Sequence, residues 1–155
     1  MDSKVLDAIG SAVKEVIEAM TMSQITLGEP KKKESRGMYG SVTGIIGLAG
    51  GNSNGTLALS FKQDCLFQLL ENMLGEKFTT VNDDVLDAVG EFTNIICGDL
   101  KRRLAVLGFE IGLATPLVIS GESLQMRDRV TRDTYCIICS VAGGTFAVET
   151  NLARI

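Results

Sequence analysis

Histidine occurs nowhere in the 155 residues. Without it there can be no Ser–His or Cys–His nucleophile and no imidazole ligand for a metal. Basic charge is scarce as well: 15 lysines and arginines stand against 19 acidic residues, for a net charge of −4 and a pI near 4.9. Such a surface excludes nucleic acid and anionic membranes as partners, since both demand a basic patch. The one basic run, Lys31-Lys32-Lys33, is followed by Glu34 and reads as a solvated loop. No apolar run reaches spanning length, and the glycine-rich stretch 44–51 is far too short. No charged start followed by a long apolar core marks the N-terminus. A soluble, cytoplasmic protein is expected.

Cysteine offers no substitute for the missing histidine. Of the four, Cys136 and Cys139 have C-x-x-C spacing, but they sit in an apolar run that reads as a buried strand. Strand residues three apart point to opposite faces, so the two sulfurs diverge. Cys65 and Cys97 lie in helical patterns without such a partner. All four read as buried structural thiols.

What is present is periodicity. With 45% hydrophobic residues, the chain can bury a real core as a single domain over 1–155. The spacing predicts a helix over about 4–20, strands over 24–29 and 38–49, a turn over 50–55 and a return strand over 55–61. A second helix over 61–74 ends at Gly75. Asn82 is a suitable N-cap for a third, long helix that Gly108 stops. Three strands follow, over 109–120, 133–141 and 145–152, with Pro116 marking an edge or bulge in the first. Consecutive strands joined by short turns imply antiparallel pairing, so the class is α+β, with two long helices on one face of a largely antiparallel sheet.

The long helix carries the most information. Asp87, Glu91, Asn94, Gly98 and Lys101 are spaced 4, 3, 4 and 3 apart, which places them on one stripe roughly 80° wide. An apolar stripe of the same spacing, from Leu86 and Val89 through Thr93, Ile96, Leu100 and Leu104 to Leu107, faces elsewhere and reads as core. Phe92 and Ile95 flank it and read as packing against the first helix. One helix face thus presents a carboxylate and a carboxamide one turn apart, with a glycine below them.

The same helix has a weaker twin. Asp7-Ala-Ile-Gly10-Ser11 and Lys14 match Asp87-Ala-Val-Gly90-Glu91 and Asn94 in register. An Ala-Gly-Gly turn follows in each half, at 49–51 and 142–144. The economical reading is an internal duplication of two αβββ units, 1–75 and 83–155, with the polar pair in the second copy only. The second unit lacks a counterpart to helix 61–74. Tyr135–Ala142 also carries few of the charges that protect an open edge. A strand of this half is therefore expected to pair with a second subunit, giving a homodimer.

Asp87-x3-Glu91-x2-Asn94 followed by Pro116, within the duplicated αβββ plan, resembles the CheC/CheX/FliY family of chemotaxis phosphatases, closest to its CheX branch. The resemblance implies a CheC-like fold and hydrolysis of the aspartyl phosphate of a CheY-like receiver. It implies catalytic roles for Glu91 and Asn94, with Asn94 positioning the water and Glu91 pairing with a receiver lysine. Asp87, Gly98 and Lys101 then become partner-binding positions. It implies no cofactor or metal of the protein's own, Mg2+ being carried by the receiver. Two other readings are a non-catalytic adaptor that docks a receiver or flagellar motor component, and a structural homo-oligomer.

Overall fold

The computed structural model describes residues 1–112, 114–126 and 133–155. Its elements in chain order are α1 (Ser3–Thr21), β1 (Thr26–Leu27), β2 (Lys31–Lys32), β3 (Val42–Gly47), β4 (Ser53–Asn54) and β5 (Thr56–Phe61). There follow α2 (Gln63–Leu74), α3 (Asp83–Val106), β6 (Leu117–Ser120), β7 (Tyr135–Val141), β8 (Gly144–Thr150) and β9 (Ala153–Arg154). The main sheet has the order β1-β7-β8-β5-β3-β6, and β2 also pairs with β7. Every pairing among the described residues is antiparallel. The fold is α+β, as the short connections require.

Local chemistry sets the helix limits. The Asn82 side chain accepts from Val85 N at 3.0 Å and starts α3, and Asp83 and Asp84 occupy its positive first turn. α2 ends where Gly75 turns left-handed, with φ 75°, and donates its N–H to the Glu71 carbonyl. α1 and α3 pack against each other and against the sheet. The aromatic centre of the core is Phe61 of β5, stacked on Phe146 of β8 at 4.9 Å and facing Phe92 of α3 at 6.1 Å. Phe92 is therefore wholly buried in the core, whereas Ile95 stays 38% exposed. α3 sits so close to β3 that a Cβ on Gly44 would overlap the Thr93 hydroxyl. The helical glycines approach strands rather than each other: Gly10 lies over Leu27 of β1 and Gly90 over Val118 of β6.

The structure departs from the sequence reading elsewhere too, beginning with the strand expected over 24–29, which is only Thr26–Leu27. The run 31–33 is no solvated loop, because Lys31 and Lys32 pair with β7. Lys33 donates to Glu149 Oε2 and to the Gly37 carbonyl, both at 2.7 Å, with the Glu149 side chain only 2% exposed. The strand expected over 109–120 is confined to Leu117–Ser120, immediately after Pro116, at the sheet edge beside β3. β7 is not an open edge, since β8 flanks it on one side and β1 and β2 on the other. With both edges paired, Ile137 and Cys139 buried and Cys136, Ile138 and Val141 half-buried within the chain, the reason for expecting a partner there is removed.

Three of the four thiols are buried as expected, and Cys136 is the exception. Cys139 is buried and Cys136 half-buried on alternate faces of β7, and all four cysteines are free. Burial pushes the Cys65 and Cys139 thiols up to about 12, far from thiolate chemistry at neutral pH.

Candidate active site

α3 is 24 residues long and anchored along one side. Val85, Val89, Phe92, Thr93, Ile96, Leu100 and Leu104 are fully buried, while Leu86 and Leu107 are partly covered. The helix cannot rotate without exposing this stripe, so the opposite face is fixed in space. That face holds Asp87, Glu91, Asn94 and Gly98, all exposed, and Lys101, half-buried. The structure brings all five together on one stripe.

Among the described residues, neither the Glu91 nor the Asn94 side chain has a hydrogen bond or ion pair within the chain. Their functional groups are free for another molecule. Beside them, α3 and the segment 114–118 bound an open groove of about 630 Å³. Its walls are Leu86, Asp87, Gly90, Glu91 and Asn94 on the helix, and Ala114, Thr115, Pro116 and Val118 opposite. Gly98 has nothing within 4 Å of where a Cβ would stand, so no neighbour in the fold requires a glycine there. A carboxamide that both donates and accepts, a carboxylate one turn away and a clear approach can position a water against an already activated phosphoryl centre.

The protein's residues 42–140 match the family model described as chemotaxis phosphatase CheX. The chain belongs to the CheX family. The CheX of Thermotoga maritima, named a CheY-P phosphatase, is 27% identical over 128 residues, which is 82% of each chain. A CheC-like superfamily protein from Shewanella sp. PV-4 superimposes with a TM-score of 0.90 at 27% identity, over 99% of both chains. The CheX of Borrelia burgdorferi, solved in a complex with CheY, BeF3 and Mg2+, shares the fold with a TM-score of 0.80 at 21% identity, over 95% and 96% of the two chains.

In this CheX-family chain the matching stripe on α1 is otherwise employed. Lys14 Nζ donates to the Ile25 carbonyl at 2.6 Å and to Glu18 at 2.9 Å, and Glu18 Oε2 accepts from Ile25 N at 2.8 Å. The hydrogen bond from Lys14, together with that from the Ile25 backbone, holds the Glu18 carboxyl below the usual carboxylate range. Lys14 braces the chain as it leaves α1 and is not available as a second Asn94.

A separate cavity of about 510 Å³ lies where the start of α1 meets the end of the chain. At its walls the terminal amine donates to Tyr135, and Arg154 donates to the carbonyls of Leu107 and Gly108. It offers no free acid and amide pair like that on α3. Sequence reasoning missed the groove wall at Ala114 and Thr115, whose only local signal was the adjacent Pro116.

Proposed function

We propose that this protein hydrolyses the aspartyl phosphate of a CheY-like response regulator, with Asn94 positioning the attacking water and Glu91 pairing with a lysine of the receiver. The observation that carries this reading is the unbonded Glu91–Asn94 pair on a helix locked by its buried face. Family membership and the name of the Thermotoga relative support the substrate, and the complex of the Borrelia protein supports a receiver as partner.

An acyl phosphate is already activated, so hydrolysis needs an in-line water and charge neutralisation more than a strong base. The water oxygen bonds to phosphorus as the bond from phosphorus to the aspartyl oxygen breaks. Inorganic phosphate leaves with the water's oxygen and both its protons, one of which passes on to solvent, and the receiver's carboxylate is regenerated. Asn94 accepts from the water and donates to a phosphoryl oxygen. Mg2+ belongs to the receiver in this reading. Asp87 and Lys101 extend the contact to either side of the pair, and Gly98 keeps the approach open. Only α3 carries the pair, so each chain has one site.

The sheet order also reads alike from both ends. β1-β7-β8 mirrors β6-β3-β5, each half lending its first strand to the other. This supports a duplication relating 1–75 to 83–155. The outer edge of β6, where Leu117 is 61% exposed, has no neighbour among the described residues. A homodimer joined along that edge follows from the second half. Light scattering that finds only monomer at micromolar concentration would contradict it.

The reaction is tested by multiple-turnover phosphate release from a CheY-type receiver charged with acetyl phosphate. Acceleration by substoichiometric protein is expected. Binding to the phosphorylated receiver without faster phosphate loss identifies an adaptor instead.

A further inference from the structure

The mechanism uses the N-terminal half of the α3 stripe, but the stripe continues. Below Gly98 it reaches Lys101 and the exposed Ala105, which line a second depression of about 360 Å³ on the same side of the helix. Its other walls come from the turn at Gly50 and Gly51 and from Glu110 and Gly112.

This depression is rigid. Asn52 accepts from Glu110 N at 2.9 Å and donates to the Gly108 carbonyl at 2.8 Å. Gly112 N donates to the Ala49 carbonyl at 2.8 Å. A Cβ on Gly50 would overlap the Glu110 carbonyl oxygen, so turn and loop are locked face to face. A surface formed in advance binds without a further ordering cost.

The cations of α3 are divided. Arg103 pairs with Asp99 and with Glu15 of α1, and Arg102 pairs with Asp99. Lys101, next to them in sequence, has no acidic partner among the described residues. The other exposed end of the helix is acidic, with Asp83, Asp84, Asp87 and Glu91. Charge thus changes sign along the stripe, with Asn94 and Gly98 at the crossover.

A receiver's phosphorylation site has the complementary pattern. Its Mg2+ is held by carboxylates and phosphoryl oxygens, which make an anionic rim, while Glu91 requires a cation beside it. Seven residues separate Asn94 from Lys101, about 10 Å along the axis. Side chains on a helix lean as a rule toward its N-terminus, the direction in which Asn94 lies.

We infer that the Lys101–Ala105 depression is a second contact for the phosphorylated receiver, in which Lys101 takes the anionic rim of the phosphorylation site and so sets the direction in which the receiver lies along α3. The inference rests on the receiver-phosphatase reading of Glu91 and Asn94. Lys101 here is a recognition residue, acting on association rather than on the reacting bond.

The test is a calorimetric titration of a beryllofluoride-activated CheY-type receiver, with Mg2+, into wild-type protein, Lys101→Glu, Lys101→Met and Ala105→Glu. Unchanged melting temperatures establish that each variant is folded. Lys101→Glu should weaken binding by about tenfold at low salt, and Lys101→Met by less. The gap between them should close at about 0.5 M salt, where exposed charges are screened. Ala105→Glu should weaken binding in the same direction, and in turnover assays the Lys101→Glu effect should fall on KM rather than kcat. Wild-type affinity in both Lys101→Glu and Ala105→Glu would overturn the second contact. Turnover by Asn94→Ala in parallel separates the two ideas. If it is lost while these variants bind normally, only the second contact fails; if Asn94→Ala turns over at the wild-type rate, the parent reading fails first.

Discussion

At the scale of single residues, the protein divides its polar groups between those bonded inward and those left free. The Glu91 side chain has no partner among the described residues, so Glu91→Ala should leave stability alone and weaken the receiver complex. The loss should be about 1–3 kcal/mol if docking shields the charge pair, read as a change in Kd by titration with activated receiver. Lys33 is the opposite case. It is the ammonium found for the buried Glu149, whose second carboxylate oxygen has no partner among the described residues. Lys33→Met should cost about 3–5 kcal/mol by stranding that charge, measured as a fall in the urea midpoint. The two differ in legibility for a physical reason. Glu91 was readable because its neighbours on the stripe lie within a few positions of it in sequence. The Lys33–Glu149 pair joins residues 116 positions apart, and no local pattern marks such a bond, so three consecutive lysines looked like solvent.

At the scale of elements, α3 is set by what lies under it and beside it. Gly44 and Gly90 let it settle on β3 and β6, while Gly98 has no such duty. Gly98→Ala should therefore raise the melting temperature, since alanine gains up to about 1 kcal/mol over glycine within a helix. The same change should raise KM for the receiver. A more stable protein with unaltered KM would mean that Gly98 gives clearance to nothing. The junction of α1 and α3 depends on Asp99. Burial raises its pKa, but hydrogen bonds from Arg103 and Arg102 outweigh this and hold the carboxyl below the usual range. A depressed pKa contributes stability that is fully present above the unfolded value, about 3.9, and is lost as pH falls through the folded value. Asp99→Asn should thus lower the urea midpoint at pH 7 and lessen its further fall on going to pH 3. Helix spans were legible here because caps and a 3.6 period are local. The strand over 109–120 was overextended because apolar residues at 109 and 111 pack into the core from a loop, and periodicity does not separate the two.

At the scale of the whole molecule, one sheet carries strands from both halves and presents one long helix with a free acid and amide. The antiparallel class was legible from the short connections between strands. The interleaved order, in which β1 pairs with β7 and β6 with β3, was not, because strand exchange between halves leaves no trace in local spacing. For the same reason β7 looked like an exposed edge although the first half covers it. The central claim is that this architecture serves to hold Asn94 against a receiver's phosphoryl group. It is tested most directly by single-turnover decay of a phosphorylated CheY-type receiver at saturating protein, comparing wild type with Asn94→Ala. Asn94 is exposed and its side chain has no hydrogen bond among the described residues, so the variant should bind the receiver and melt as wild type does. Its dephosphorylation rate should fall by about 100-fold or more, the scale on which loss of a positioning group acts. Decay at the wild-type rate in a folded, receiver-bound Asn94→Ala protein would contradict the account.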